Sequence, residues 1–344
     1  MLAALHAARP EVGVTLWTSV PRWFFEESLG FAFDYREIAC DVGLVQKNAV
    51  EEDLLATLDR LEAFWAEAGG KSFQKSKQAE ALLESGADAV LCDISPLGLL
   101  LAREAGLPSI LLENFTWDWI YEGLIPFEPR FAPWIGRLRG HFALAGLRLQ
   151  ATPVCSPAAK AITVPPIARR PRSTPAAVRE RLGIGPASAM VLVSFGGVEG
   201  VLADPRSWRI PEGVEIVVPG GAEHEERLGR LVLLPHHTPL FHPDLVAAAD
   251  LVAGKLGYST VAEVVAAGGR FLHLSRPGFR ENAVLEKFVH GRLPATEITI
   301  DALRSGSWLE SARALLAVPR GAGGAADGAG RAAAAIASVL DGTR

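Results

Sequence analysis

The stretch GKLGYSTVAEVVAAG, residues 254–268, places Gly257, Ser259 and Thr260 at the start of a helix and Glu263 one turn inside it. The first amides of a helix lack partners and the dipole is positive there, so small residues at that point suit an anion such as a phosphate. A carboxylate one turn in suits the hydroxyls of a ribose. The same residues also spell a capping box, Thr260 with Glu263 three positions on, which needs no ligand. Both readings use the same side chains, and the local pattern leaves them level.

Other segments offer related chemistry. VLVSFGGVEG, residues 191–200, sets Ser194, Gly196 and Gly197 just beyond an apolar run. Glycines there either let backbone amides approach a diphosphate or supply a tight turn. No Gly-Lys-Ser/Thr follows, so the segment is not a P-loop. SRPGFRENAVLEKF, residues 275–288, carries Arg276, Arg280, Glu281 and Asn282 into a loop and helix start. The arginines suit phosphate and the Glu-Asn pair suits sugar hydroxyls, with a solvated helix start as the bland alternative. In the first half, Asp93 ends an apolar strand, where it either caps the helix after Pro96 or acts as base on an acceptor hydroxyl. Asn114, Thr116, Trp117 and Asp118 combine an amide, a hydroxyl, an indole and a carboxylate, a mixture found at sugar sites, although tryptophans also fill cores. His236, His237 and His242 lack metal-ligand spacing and in-frame Cys or Glu partners, so they predict no metal; one of them borders the nucleotide or sugar. His273, inside a strand, reads as packing.

These residues need elements to hold them, and short apolar runs alternate with helix-spaced segments along the whole chain. VGVTLWTS, FDYREIACD, ADAVLCD and LPSILLEN read as strands, with helices over PRWFFEESL, residues 48–70, KSKQAEALLESG and PLGLLLAREAG. After the Pro-rich, basic stretch PPIARRPRSTP the alternation resumes, with strands at AMVLVSFGG, VEIVVPGG, LVLLP, DLVAG and GRFLHL. Such alternation predicts parallel sheets covered on both faces, in two α/β domains, residues 1–165 and 166–344. The alanine-rich final helix is expected to pack back on the first domain. Ligands of such sheets bind at the carboxyl ends of strands, near the switch point.

Bulk properties narrow the function. With 344 residues, 49% hydrophobic and 21% charged, the chain is of globular composition. A net charge of −5 gives no basic footprint for nucleic acid. Three dispersed cysteines argue against a disulfide framework or zinc cluster and for a reducing, cytoplasmic setting. AVLCDISPLGLLLA is interrupted by Asp93 and Pro96 and closed by Arg103 and Glu104, so no transmembrane span is expected, although peripheral membrane contact is compatible. The start has no signal-peptide pattern.

The order SFGG, HPDLVAAADLVAGKLGYSTVAEVVAAG, RPGFREN resembles the C-terminal domain of GT-B glycosyltransferases, notably the peptidoglycan enzymes that use UDP-N-acetylglucosamine. It is closer still to the glycosyltransferase-like N-terminal region of plant L-arabinokinases. That likeness extends to ADAVLCDISPLG and LAREAGLPSILLENFTWDWIYEG, and so spans most of the chain. The resemblance implies two Rossmann-like domains facing across a cleft, the first acceptor-side and the second nucleotide-sugar-binding. It implies a diphosphate held by Ser194, Gly196, Gly197, Gly257, Ser259 and Thr260, a ribose held by Glu263, and a donor sugar met by Arg280, Glu281 and Asn282. Asn114, Thr116, Trp117 and Asp118 fall on the acceptor side, and Asp93 is the best base present. The implied reaction transfers a sugar from a nucleotide-diphosphate sugar to an acceptor hydroxyl, with no cofactor and no essential metal. A nucleotide-sugar 2-epimerase and a noncatalytic nucleotide-sugar binder are the competing readings. Relatives begin with a strand and a glycine- and histidine-rich loop, whereas MLAALHAARPEVGV matches the end of their first helix. The first sheet is therefore expected to lack its first, central strand, with lower stability and weak activity.

Overall fold

Apolar strands covered on both faces organise each half of the chain. The computed structural model describes all residues except 49–50, 69–76, 196–203, 277, 325–326 and 343–344. In the first unit, α1 (Leu2–Ala8) precedes β1 (Thr15–Thr18), and α2 (Arg22–Leu29) links it to its parallel partner β2 (Asp34–Glu37). β3 (Gln46–Asn48) and β4 (Glu51–Glu52) form an antiparallel hairpin. Then come α3 (Leu54–Ala68), α4 (Lys77–Glu84), β5 (Val90–Asp93), α5 (Pro96–Glu104), β6 (Ser109–Glu113), α6 (Trp117–Glu122), α7 (Ala132–Phe142), β7 (Leu147–Ala151) and β8 (Ile162–Val164). Strands β5 to β8 lie in chain order in a parallel sheet, which among the described residues shares no ladder with the β1–β2 pair. The sequence predicts a helix from residue 48. The helix starts later because the Asp53 carboxylate accepts from the Ala56 amide at 3.0 Å, leaving Glu51 and Glu52 to the hairpin.

The second unit runs through α8 (Pro175–Arg181), β9 (Ala189–Ser194), β10 (Val214–Pro219), β11 (Glu226–Leu228), β12 (Leu231–Leu234), α9 (His242–Ala248) and β13 (Leu251–Lys255). It continues with α10 (Tyr258–Ala267), β14 (Phe271–Leu274), α11 (Glu281–His290), β15 (Ala295–Glu297), α12 (Ile300–Ser305) and α13 (Trp308–Leu316). Its seven strands are ordered β11-β12-β10-β9-β13-β14-β15, parallel except for β11. Alternation along each strand divides the core. Val191 and Val193 of β9 pack with Trp308 and Ala312 of α13, while Met190 and Leu192 pack with Leu245 of α9 and Val261 of α10.

The chain moves outward from β9 to β10 and β12, then returns to lay β13 against the other side of β9. That reversal is the topological switch point, and the carboxyl ends of β9 and β13 open a crevice there. The two strands approach so closely that a Cβ on Gly254 would lie 2.4 Å from the Ser194 carbonyl oxygen. Only glycine fits. α14 (Gly328–Asp341) returns to the first unit, where Ala332, Ala333 and Ile336 pack with Leu5, Ile110, Leu149 and Val164. Among the described residues no helix is long and apolar enough to cross a membrane.

Candidate functional site

At the switch point, Ser194 ends β9 and Lys255 ends β13, with α10 beginning three residues later. Gly257 is the N-cap of α10 and no side chain caps it. Thr260 therefore lies inside the first turn, and the capping box with Glu263 does not form. Ser259 and Thr260 remain at the amide-rich end of this helix, which suits an anion.

Glu263 points instead into a polar chain. The Ser194 hydroxyl lies 2.8 Å from His242 Nε2, and His242 Nδ1 lies 3.3 Å from Glu263 Oε2. Arg169 Nε donates to Glu263 Oε1 at 2.8 Å. Burial alone would raise the Glu263 carboxyl, but the His242 hydrogen bond and the Arg169 charge outweigh it and hold the group below its ordinary value. Arg169 Nη2 also lies 3.5 Å from His242 Nδ1, so carboxylate, guanidinium, imidazole and the Ser194 hydroxyl form one polar cluster. Arg169, in the linker, was not singled out in the sequence, because nothing local marks which of that segment's arginines turns inward. Gly196 and Gly197, expected at the diphosphate, lie outside the described residues.

A second cluster stands beside the first, where the units meet. Arg276 and Glu52 form an ion pair at 3.2 Å, with side-chain exposures of 8% and 9%. The Arg276 guanidinium also lies 3.3 Å from the centre of the Phe279 ring. Asn114 Nδ2 donates to Glu281 Oε1 at 2.6 Å, joining β6's end to the start of α11. Asn282 Nδ2 donates to the Arg276 carbonyl at 2.9 Å. Among the described residues, Arg276 Nε and Asn282 Oδ1 are buried without hydrogen-bond partners. Burial raises the Glu281 carboxyl, while Asn114, Arg276 and Lys255 oppose that rise. Burial lowers the Lys255 ammonium, and the Arg276 charge lowers it further. Glu52 and Glu281 oppose that lowering, so the two desolvated cations are already balanced by carboxylates, and a bound anion would compete with Glu52 for them. Lys255 is the residue that the sequence motif undervalued. Its signal was a lysine at the end of an apolar strand, directly before the glycine-led helix.

On the opposite side, Asp93 ends β5. Ser95, not Asp93, caps α5, accepting from the Gly98 amide at 3.3 Å, so the capping reading of Asp93 is corrected. Asp93 reaches solvent but is ringed by protein, and burial followed by the Asp41 charge raises its carboxyl to about 6. Ile94, next in the chain, has a φ of +55°, a costly conformation for a β-branched residue and one typical of functional turns. The Tyr258 hydroxyl at the start of α10 donates to the Thr152 carbonyl at 3.2 Å and accepts from the Ile167 amide at 3.1 Å, tying α10 to the end of the first unit.

The remaining expected residues are divided. Trp117 Nε1 donates to Asp41 at 3.0 Å, and Asp118 pairs with Arg139 at 3.3 Å, both within the first unit. Thr116 is the buried N-cap of α6 and makes no side-chain capping bond. Of the four acceptor-side residues, Asn114 is the one seen hydrogen-bonding to the second unit. Arg280 stacks over the Trp119 ring at 4.2 Å and pairs with Glu122 at 2.8 Å, so it docks the units rather than lining the cluster. His237 packs edge-on against Trp23 at 4.5 Å. A cavity of about 500 Å³ lies beside the network, between residues 163–171, the outer side of α10 and Asp327, and both Arg169 and Glu263 line it.

No family model matches the chain. It is 27% identical over 283 residues to the L-arabinokinase of Arabidopsis thaliana, a match covering 79% of this chain. The same match covers 26% of that protein, so the chain spans about a quarter of its curated relative's length. Among solved structures it is similar to the glycotransferase of kitacinnamycin, with a TM-score of 0.58 at 17% identity over 100% of this chain and 89% of that one. It is also similar to the glycosyltransferase VinC in complex with dTDP, with a TM-score of 0.58 at 12% identity over 99% of this chain and 91% of that one. The fold is that of GT-B glycosyltransferases.

Proposed function

We propose that this GT-B chain transfers a sugar from a nucleoside-diphosphate sugar to an acceptor hydroxyl. The observation that carries the reading is the Lys255–Arg276 cation pair beside the amide-rich start of α10, at the sheet's switch point. Together they offer a desolvated site for a diphosphate, with the buried acceptor Asn282 Oδ1 and the Glu281 carboxylate alongside for sugar hydroxyls. VinC, of similar fold, is a glycosyltransferase described with dTDP.

In this mechanism the diphosphate lies between the α10 amides, Ser259, Thr260 and the two cations. Ser194 and Gly257 border it, and Glu263 receives the ribose hydroxyls. Glu281 and Asn282 hold the donor sugar. Asp93, with its carboxyl raised to about 6, accepts the proton of the acceptor hydroxyl. The acceptor oxygen then bonds to the anomeric carbon as the bond from that carbon to the diphosphate oxygen breaks. The electron pair leaves with the diphosphate, where Lys255, Arg276 and the helix dipole stabilise the growing negative charge. Removing these charges from water is what makes the interaction strong.

The test is a thermal-shift and calorimetric screen of UDP, dTDP, GDP and their monophosphates, followed by mass spectrometry of sugar transfer to pooled hydroxyl acceptors. A nucleoside diphosphate must stabilise the chain more than its monophosphate. Equal or absent stabilisation sinks the reading. Binding with no product from any acceptor leaves a noncatalytic nucleotide-sugar binder, and epimerised donor points to an epimerase.

A further inference from the structure

Away from the cleft, His273 sits in the middle of β14 with no exposed surface, on the strand face that packs against α11. An imidazole at such a position needs a partner for each nitrogen. His273 Nε2 lies 3.3 Å from His290 Nε2, and the two rings meet edge to face at an interplanar angle of 83°. Glu286 stands one turn before His290 on the same face of α11, its Oε1 4.0 Å from His290 Nε2. One donor atom from each of the three residues lies within 4.8 Å of the others.

We infer that His273, Glu286 and His290 form a divalent transition-metal site that fastens β14 to α11. The separation of the two ring nitrogens suits two ligands of one ion as well as it suits a hydrogen bond. A tetrahedral zinc with bonds of about 2.0–2.1 Å holds two ligating nitrogens about 3.3–3.4 Å apart. The other nitrogen of His273, Nδ1, lies 3.3 Å from the Ser275 hydroxyl, a contact that fixes the ring and turns Nε2 toward the ion. Glu286 and His290 have side-chain exposures of 44% and 43%, so the site opens to solvent and the carboxylate is free to swing onto the ion. Two imidazoles with one carboxylate form a donor set for zinc, cobalt, nickel or copper rather than for magnesium or calcium. A water completes the fourth position.

The placement gives the site a consequence. β14 leads directly into Ser275 and Arg276, and α11 begins with Glu281 and Asn282. An ion joining the strand to the helix therefore closes the base of the segment that carries these residues. The inference does not depend on what binds in the cleft.

The test uses the full chain without an affinity tag, stripped with a chelator and titrated with zinc chloride or cobalt chloride by calorimetry. Wild type binds one equivalent of zinc, melts at higher temperature with it, and shows the intense visible absorption of tetrahedral cobalt. H290Q, at a half-exposed helix position that leaves the core intact, loses at least tenfold in affinity and the zinc-dependent rise in Tm. E286Q weakens binding, and the H236Q/H237Q double variant binds as wild type does. Circular dichroism confirms that each variant is folded. Stoichiometric binding that survives H290Q, or that disappears in H236Q/H237Q, overturns the site. So does an absence of stoichiometric binding in wild type, which leaves a plain hydrogen bond between the two imidazoles.

Discussion

Replacing Glu263 by Gln removes one charge from the switch-point network while keeping the side chain's size. The carboxylate is 4% exposed and accepts from Arg169 Nε at 2.8 Å and pairs with His242 Nδ1 at 3.3 Å. A hydrogen bond to a charged group contributes about 1.5–3 kcal/mol, and breaking a fully buried pair costs about 3–5 kcal/mol. Arg169 keeps 31% of its side chain exposed, so water solvates part of the orphaned guanidinium. The expected loss is therefore about 2 kcal/mol. In a unit of this size that lowers Tm by about 4–8 °C. The pH dependence has a definite sign. Glu263 is held below its ordinary value of 4.5, so its contribution is complete above that value and disappears as pH falls through the folded one. The gap between wild type and E263Q is widest near neutral pH and closes as pH drops below about 4.5. Urea melts across this range, with and without UDP, check both roles. An E263Q protein as stable as wild type at neutral pH refutes the network energetics. One that is destabilised but binds UDP unchanged refutes the ribose contact, for which a loss of about tenfold, roughly 1.4 kcal/mol, is expected.

Three other substitutions test separate parts of the site. Asp93→Asn should lower kcat/KM by about 10²–10⁴-fold while leaving nucleotide stabilisation intact. The wild-type rate should rise with pH through about 6 as the carboxyl ionises, a limb absent from the variant's pH–rate profile. Lys255→Met should weaken a nucleoside diphosphate by about 10–100-fold and the monophosphate far less, because the lost charge faces the second phosphate; calorimetry at two salt concentrations reads both. Gly254→Ala forces a Cβ to within 2.4 Å of the Ser194 carbonyl oxygen, so β9 and β13 must part. A loss of about 2–3 kcal/mol in a urea melt is expected, and a neutral result would mean that the strands yield freely.

The sequence by itself determined the class of fold. Apolar runs such as AMVLVS and SILLE, separated by helix-spaced segments, require strands buried on both faces, and β9 and β6 are such strands. It also determined the glycine-led start of α10, where Gly257 stands as the N-cap. The motif resemblance to GT-B enzymes added what periodicity does not contain, and the fold agrees with it. Local reading went astray where two polar residues competed for one task. Asp93 and Ser95 both suit a cap, and the Ser95 hydroxyl takes it, accepting from the Gly98 amide. The capping box failed because α10 starts at Tyr258 with Gly257 as its cap, which puts Thr260 inside the first turn and leaves Glu263 to partners far away in sequence.

What the tertiary structure alone decided is which polar groups meet. Arg169 and Glu263 are 94 positions apart, Asn114 and Glu281 are 167, and Arg276 and Glu52 are 224. His273 and His290 come from a strand and a helix whose periods do not register with one another. A sequence pattern reports the environment that each residue's own segment creates. Buried charges and imidazoles are tolerated only in company, and that company is supplied by the strand order at the switch point and by the helices that cross it.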